Sequence, residues 1–87
     1  MNSLVTLPNI GNTLAQKLNE IGITNFEQLK AIGSKQALIK ISVLENSGAC
    51  LNMLFALEGA IQGIRWHGLS KETKQELKEF NRLHHTS

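Results

Sequence analysis

An all-α fold of about five short helices, the fourth buried at the centre, is what this 87-residue sequence predicts. Three observations predict it. Apolar residues recur at helical spacing in separate stretches of 7 to 16 residues. Glycine, serine or threonine punctuates the chain between them. No alternating apolar–polar run is bounded by hairpin turns, so strands have no support.

Ile10, Leu14, Leu18 and Ile21, with Ala15 beside them, place a first helix over about 11–21, stopped by Gly22. Thr24-Asn-Phe-Glu27 reads as a capping box for a second helix. Phe26, Leu29 and Ile32 form its apolar face, and Gly33 closes it. Ser34 is the expected N-cap of a third helix, with Ala37, Leu38, Ile41 and Leu44 on one side and Ile39 and Val43 widening the stripe. The stretch Glu45 to Gly48 breaks the pattern, and Ser47 or Gly48 opens the fourth segment. There, Leu51, Leu54, Phe55, Leu57, Ala60, Ile61 and Ile64 cover more than one face, as in a helix surrounded by others. Arg65 to Gly68 is a loop or a frayed end. Ser70 caps the last helix, lined by Leu69, Thr73, Leu77, Phe80 and Leu83, and residues 81–87 are expected to form a flexible tail.

Bulk properties exclude several classes. The length favours one domain, 1–87, with a small core. Net charge is +2, far from the strong basic footprint of a dedicated nucleic-acid binder. Residues 1–44 carry four lysines against two glutamates, whereas residues 45–87 carry five basic and five acidic side chains. The one cysteine, Cys50, lies in an apolar run and has no internal partner, which reads as a buried thiol in an intracellular, cytoplasmic chain. There is no 18-residue apolar segment and no signal-peptide pattern at the start, so no membrane contact is expected.

The stretch Leu7-Pro-Asn-Ile-Gly11, followed by Ala15 and Leu18, resembles the hairpin of a helix-hairpin-helix motif, of the SAM/HhH type. A tight turn there directs successive N–H groups outward at a helix N-terminus, where the dipole favours an anion. Such a turn can hold a DNA phosphate without reading sequence. The first hairpin glycine is replaced by Asn9, a residue that tolerates the left-handed region but adds a side chain where phosphate would approach. Asn9, Ile10, Gly11, Asn12 and Lys17 are the candidate phosphate contacts; the competing reading is a hairpin that only joins two helices. The rhythm Leu/Ile-x-x-Ile-Gly recurs at Leu7–Gly11, Leu18–Gly22 and Leu29–Gly33, without an exact repeat.

The second half is more distinctive. Asn52-Met-Leu-Phe-Ala-Leu-Glu-Gly-Ala60, then Gly63, Trp66 and the Glu76-Leu77 pair, resembles the signature of the TfoX C-terminal domain family. Leu7, Ile10-Gly11, Ala15, Leu18 and Gly22-Ile23 extend the resemblance over about residues 4–80. It implies an all-α, helix-hairpin-helix-like fold and a relation to TfoX/Sxy-type regulators of natural competence. In those regulators this domain follows an N-terminal one, and the resemblance covers only the second.

Five residues of that half carry the motif: Asn52, Glu58, Gly59, Gly63 and Trp66. Glu58 is a carboxylate inside the most apolar helix and needs a partner. It serves as an acid or partner-binding group, or it accepts hydrogen bonds from a neighbouring helix N-terminus, the Trp66 indole or Arg65. Asn52 reads as a tie between a loop and the central helix. Gly59 and Gly63, spaced i, i+4, suggest close approach of another helix, within the monomer or across a dimer. Trp66 packs over the core edge or stacks on a base, and Arg65 faces solvent or a phosphate. His67, His84 and His85 share no ligand spacing with Cys50 or an acid pair, so no metal or other cofactor is expected. No nucleophile–base grouping supports catalysis. Two readings remain: a small non-enzymatic regulatory domain that contacts duplex DNA without sequence preference, or a module that binds a protein, including itself as a weak homodimer. An enzyme is the third and weakest.

Overall fold

A computed structural model describes residues 3–45 and 51–84, and these residues form five α-helices and two 3-10 turns joined by short loops, with no strand among them. A 3-10 turn at Ser3–Thr6 leads into α1 (Asn12–Glu20), α2 (Phe26–Ile32), α3 (Ser34–Glu45) and α4 (Leu51–Gln62). A second 3-10 turn at Trp66–Gly68 precedes α5 (Lys71–His84). Helix α4 packs against α2, α3, α5 and the Trp66–Gly68 turn, which makes it the central element its all-round apolar pattern predicts. Leu4, Leu18, Leu29, Ile41, Leu54, Leu57 and Leu77 are the largest fully buried side chains. Each contributes roughly 1.5–3 kcal/mol by leaving water.

Glycines set the helix ends. In α1 the Ile23 N–H bonds Leu18 O and the Gly22 N–H bonds Asn19 O, a Schellman closure with Gly22 at φ +89°. Helix α4 ends the same way at Gly63, φ +76°: Ile64 N–H reaches Gly59 O and Gly63 N–H reaches Ala60 O. Gly63 thus serves backbone conformation, not helix approach; a Cβ there would meet nothing within 4 Å. The Leu/Ile-x-x-Ile-Gly rhythm joins unlike things, since Gly22 and Gly33 end helices and Gly11 begins one.

Several local expectations are corrected. The α2 cap is Asn25, not Thr24. Asn25 Oδ1 accepts the Gln28 N–H at 2.8 Å, and Gln28 Oε1 accepts the Thr24 N–H at 2.7 Å. Both Thr24/Glu27 and Asn25/Gln28 satisfy the sequence pattern, and asparagine is the better cap. Ser34 is the first residue of α3 rather than its cap, because Gly33 O accepts the Ala37 N–H. Val43, 77% exposed, and Leu83, 60% exposed, leave the faces assigned to them. Ile64 lies beyond the end of α4 and is also exposed. The last helix runs through His84, so residues 81–84 are helical. Ser70 caps α5 as expected, its Oγ accepting the Thr73 N–H at 3.0 Å. Expectations for the Leu44 side chain, for Ser47, Gly48 and Cys50, and for His85 fall outside the described residues.

Candidate nucleic-acid interface

The turn before α1 is built around one side chain. Asn9 adopts φ +70°, the left-handed conformation its glycine-like position demands. Its amide turns inward. Nδ2 donates to Ile64 O at 2.9 Å and to Ala56 O at 3.5 Å, and Oδ1 accepts the Trp66 N–H at 3.1 Å. Asn9 therefore satisfies backbone groups at the end of α4 and does not stand in the path of an anion. Gly59 makes room for it: a Cβ on Gly59 would lie 2.5 Å from Asn9 Nδ2, 2.9 Å from Ile64 O and 3.2 Å from Trp66 Cα. The close approach foreseen at Gly59 is real, but the visitor is the hairpin turn and not another helix.

Of the five candidate phosphate contacts, the structure turns two outward. Gly11 and Asn12 are exposed, as is the next residue, Thr13. Gly11 is the N-cap of α1, with φ −96° and ψ −174°, and no side chain caps the helix. Ile10 is buried in the core and anchors the turn from below. Lys17 is half-buried in the last turn of α1, away from the hairpin. The cation beside the hairpin is Arg65, an exposed residue that lines one shallow groove with Val5–Gly11. Its nearness was not legible in the sequence, because 54 positions separate it from Gly11 and the Asn9 amide brings the two segments together through the fold.

Glu58 is half-buried against the start of α3. Its Oε1 accepts the Ser34 hydroxyl at 2.7 Å and its Oε2 accepts Gln62 Nε2 at 2.8 Å. Of the partners expected for it, a neighbouring helix N-terminus is the one found, reached through Ser34 at the start of α3. Asn52 is exposed in the first turn of α4, and the loop it was expected to tie, 46–50, lies outside the described residues. Trp66 lies over the core edge and stacks with two rings, Phe55 at 5.7 Å and His67 at 3.9 Å between centroids. Among the described residues, no group of three His, Cys, Asp or Glu side chains could hold a metal ion.

The model of the TfoX C-terminal domain family matches residues 1–81. Among curated relatives, Protein Sxy of Escherichia coli is 36% identical over 77 residues, which is 88% of this chain and 36% of that protein. The DNA transformation protein TfoX of Haemophilus influenzae is 33% identical over 84 residues, 95% of this chain and 38% of that protein. This chain thus spans well under half the length of either. A crystal structure of an uncharacterized protein from Listeria monocytogenes superposes with a TM-score of 0.89 at 47% identity, covering 97% of this chain and 98% of that one. A tetragonal form of a Listeria monocytogenes protein of unknown function gives 0.86 at 48% identity, covering 91% and 96%.

Proposed function

This chain belongs to the TfoX C-terminal domain family, and we propose that it is a non-enzymatic regulatory domain that contacts the phosphate backbone of duplex DNA at the start of α1. The observation that carries the reading is the open N-terminus of that helix: an exposed glycine N-cap with no side-chain cap, flanked by Arg65. Unpaired N–H groups and the helix dipole favour an anion there, and Arg65 adds a full charge. Contacts of this kind position a protein on DNA without reading bases. The regulatory role rests on kinship with Sxy and the DNA transformation protein TfoX. A hydrolytic role finds no support in the Ser34–Glu58 pair, because Ser34 is buried and its hydroxyl is committed to Glu58.

The test is a duplex-DNA titration across a salt series, with wild type and Gly11→Glu. Gly11→Glu sets a carboxylate where the phosphate would lie. Affinity that falls with salt and is lost in the variant supports the contact. A folded wild-type protein that binds no duplex at low salt sinks it and leaves the protein-binding reading.

A further inference from the structure

The charge of α5 is sorted by side. At 3.6 residues per turn, Lys71, Lys74, Lys78 and Arg82 fall within about 80° of one another around the helix axis. They span roughly 16 Å at 1.5 Å per residue. Lys71, Lys78 and Arg82 are exposed, and Lys74 is half-buried. Glu72, Glu76 and Glu79 occupy the adjoining side, and Glu76 meets Lys35 of α3 at 2.7 Å. The third side carries Leu77 and Phe80 into the core. The basic side borders the Trp66–Gly68 turn: Lys74 Nζ donates to His67 O at 3.2 Å and lies 5.8 Å from the Trp66 ring centre. Arg65, just before that turn, lines the hairpin groove. One basic edge therefore runs from the hairpin groove along the length of α5. Counting charges along the chain hides it, because the same helix carries three glutamates on another side.

We propose that this edge, Arg65 with Lys71, Lys74, Lys78 and Arg82, is a second contact surface for the phosphate backbone of duplex DNA, continuous with the hairpin. The inference rests on the DNA reading above and deepens it. Charge complementarity and length select the partner. The stripe presents a linear run of positive charge to the closely spaced phosphates of a duplex. A protein partner would be expected to use aromatic or apolar anchors, and this stripe carries none. An anionic membrane would need an apolar face beside the charges, whereas Leu77 and Phe80 of α5 are packed into the core and Leu83 alone of its large apolar side chains is exposed.

The experiment compares two double variants of the whole chain with equal charge change, Lys71→Gln/Lys78→Gln on the stripe and Lys30→Gln/Lys40→Gln on α2 and α3, by duplex titration across a salt series. Circular dichroism checks that each is folded. The stripe pair is expected to lower the slope of log K against log salt by about 1.8, two phosphate contacts at roughly 0.9 each. The control pair leaves the slope at the wild-type value. Equal losses from both pairs, or no loss from the stripe pair, overturn the proposal. Gly11→Glu in the same series separates the two ideas. If it abolishes binding while the stripe pair has no effect, the hairpin contact stands and the stripe falls. If the stripe pair lowers the slope and Gly11→Glu changes nothing, the stripe stands without the hairpin. A wild type that binds no duplex, or that binds polyglutamate as tightly as DNA, overturns the DNA assignment of the stripe.

Discussion

Helices α1 and α3 both begin on a glycine, and their N-termini are finished in opposite ways. At α3 the Gly33 cap is followed by Ser34, whose hydroxyl holds the Glu58 carboxylate of α4 against the helix start. The protein supplies its own anion there. At α1 the Gly11 cap is exposed, glycine has no side chain to cap the helix, and the Asn9 amide faces the other way. The same backbone feature serves cohesion where it faces α4 and is left to solvent where it faces outward. The difference is one of supply: a carboxylate from a neighbouring helix reaches one start and not the other.

The largest effect should come from the residue that lets the hairpin dock. Gly59→Ala drives a Cβ into Asn9 Nδ2 and toward the Ile64 carbonyl, which belongs to backbone and cannot swing away. Overpacking of this kind costs about 2–3 kcal/mol, read as a lower urea midpoint at constant m. An unchanged midpoint would show that the Asn9–Gly59 contact does not set the corner. Breaking the closed helix start should cost less. Glu58→Ala strands the buried Ser34 hydroxyl and releases Gln62, for a loss of about 1–2 kcal/mol in the same titration. If Glu58→Ala were neutral, the contrast between the two helix starts would have no energetic content.

The open start can be sharpened with one substitution whose two effects have opposite sign. Gly11 has the extended conformation of an N-cap, and a Cβ there meets nothing within 4 Å. Gly11→Asp gives α1 the carboxylate cap it lacks and should stabilise the fold by about 0.5 kcal/mol. Under the proposed function, the same carboxylate repels phosphate and weakens duplex binding at every salt concentration. Stability and affinity moving together in this variant would break the argument.

Much of this was legible in the sequence, and the reasons differ by region. Helix positions followed from spacing and from Gly22 and Gly33, whose backbone roles are local. The capping register at Thr24–Gln28 was ambiguous because two overlapping residue pairs satisfy one rule. The meaning of Asn9 was not legible. Its chemistry suggested an obstruction at the hairpin, and only the fold shows the amide bonded to groups 47 to 57 residues away. The basic edge of α5 was hidden for a related reason. Summed charge reports composition, whereas the sorting of Lys71, Lys74, Lys78 and Arg82 onto one side depends on helical phase and on which side the core takes.

The smallest expected effect lies on that edge. Arg82 bonds the Glu79 carboxylate, and that hydrogen bond, with the Arg82 charge behind it, holds Glu79 below the usual carboxylate range. A depressed carboxylate stabilises the fold above its unfolded pKa and loses that contribution as pH falls through the lower folded value. Glu79→Gln should therefore leave stability at pH 7 within the scatter of a urea titration, because both groups are fully exposed and screened. Its acid limb should change only below about pH 4.5. Affinity is the more telling readout. Glu79→Gln releases Arg82 from the ion pair that competes with its phosphate contact and should steepen the salt slope by up to about 0.9, the full share of one contact. Glu76→Gln makes the same change in net charge on the side that faces Lys35 of α3. It should leave the slope near wild type, and equal slopes for the two variants would reduce the basic edge to a net-charge effect.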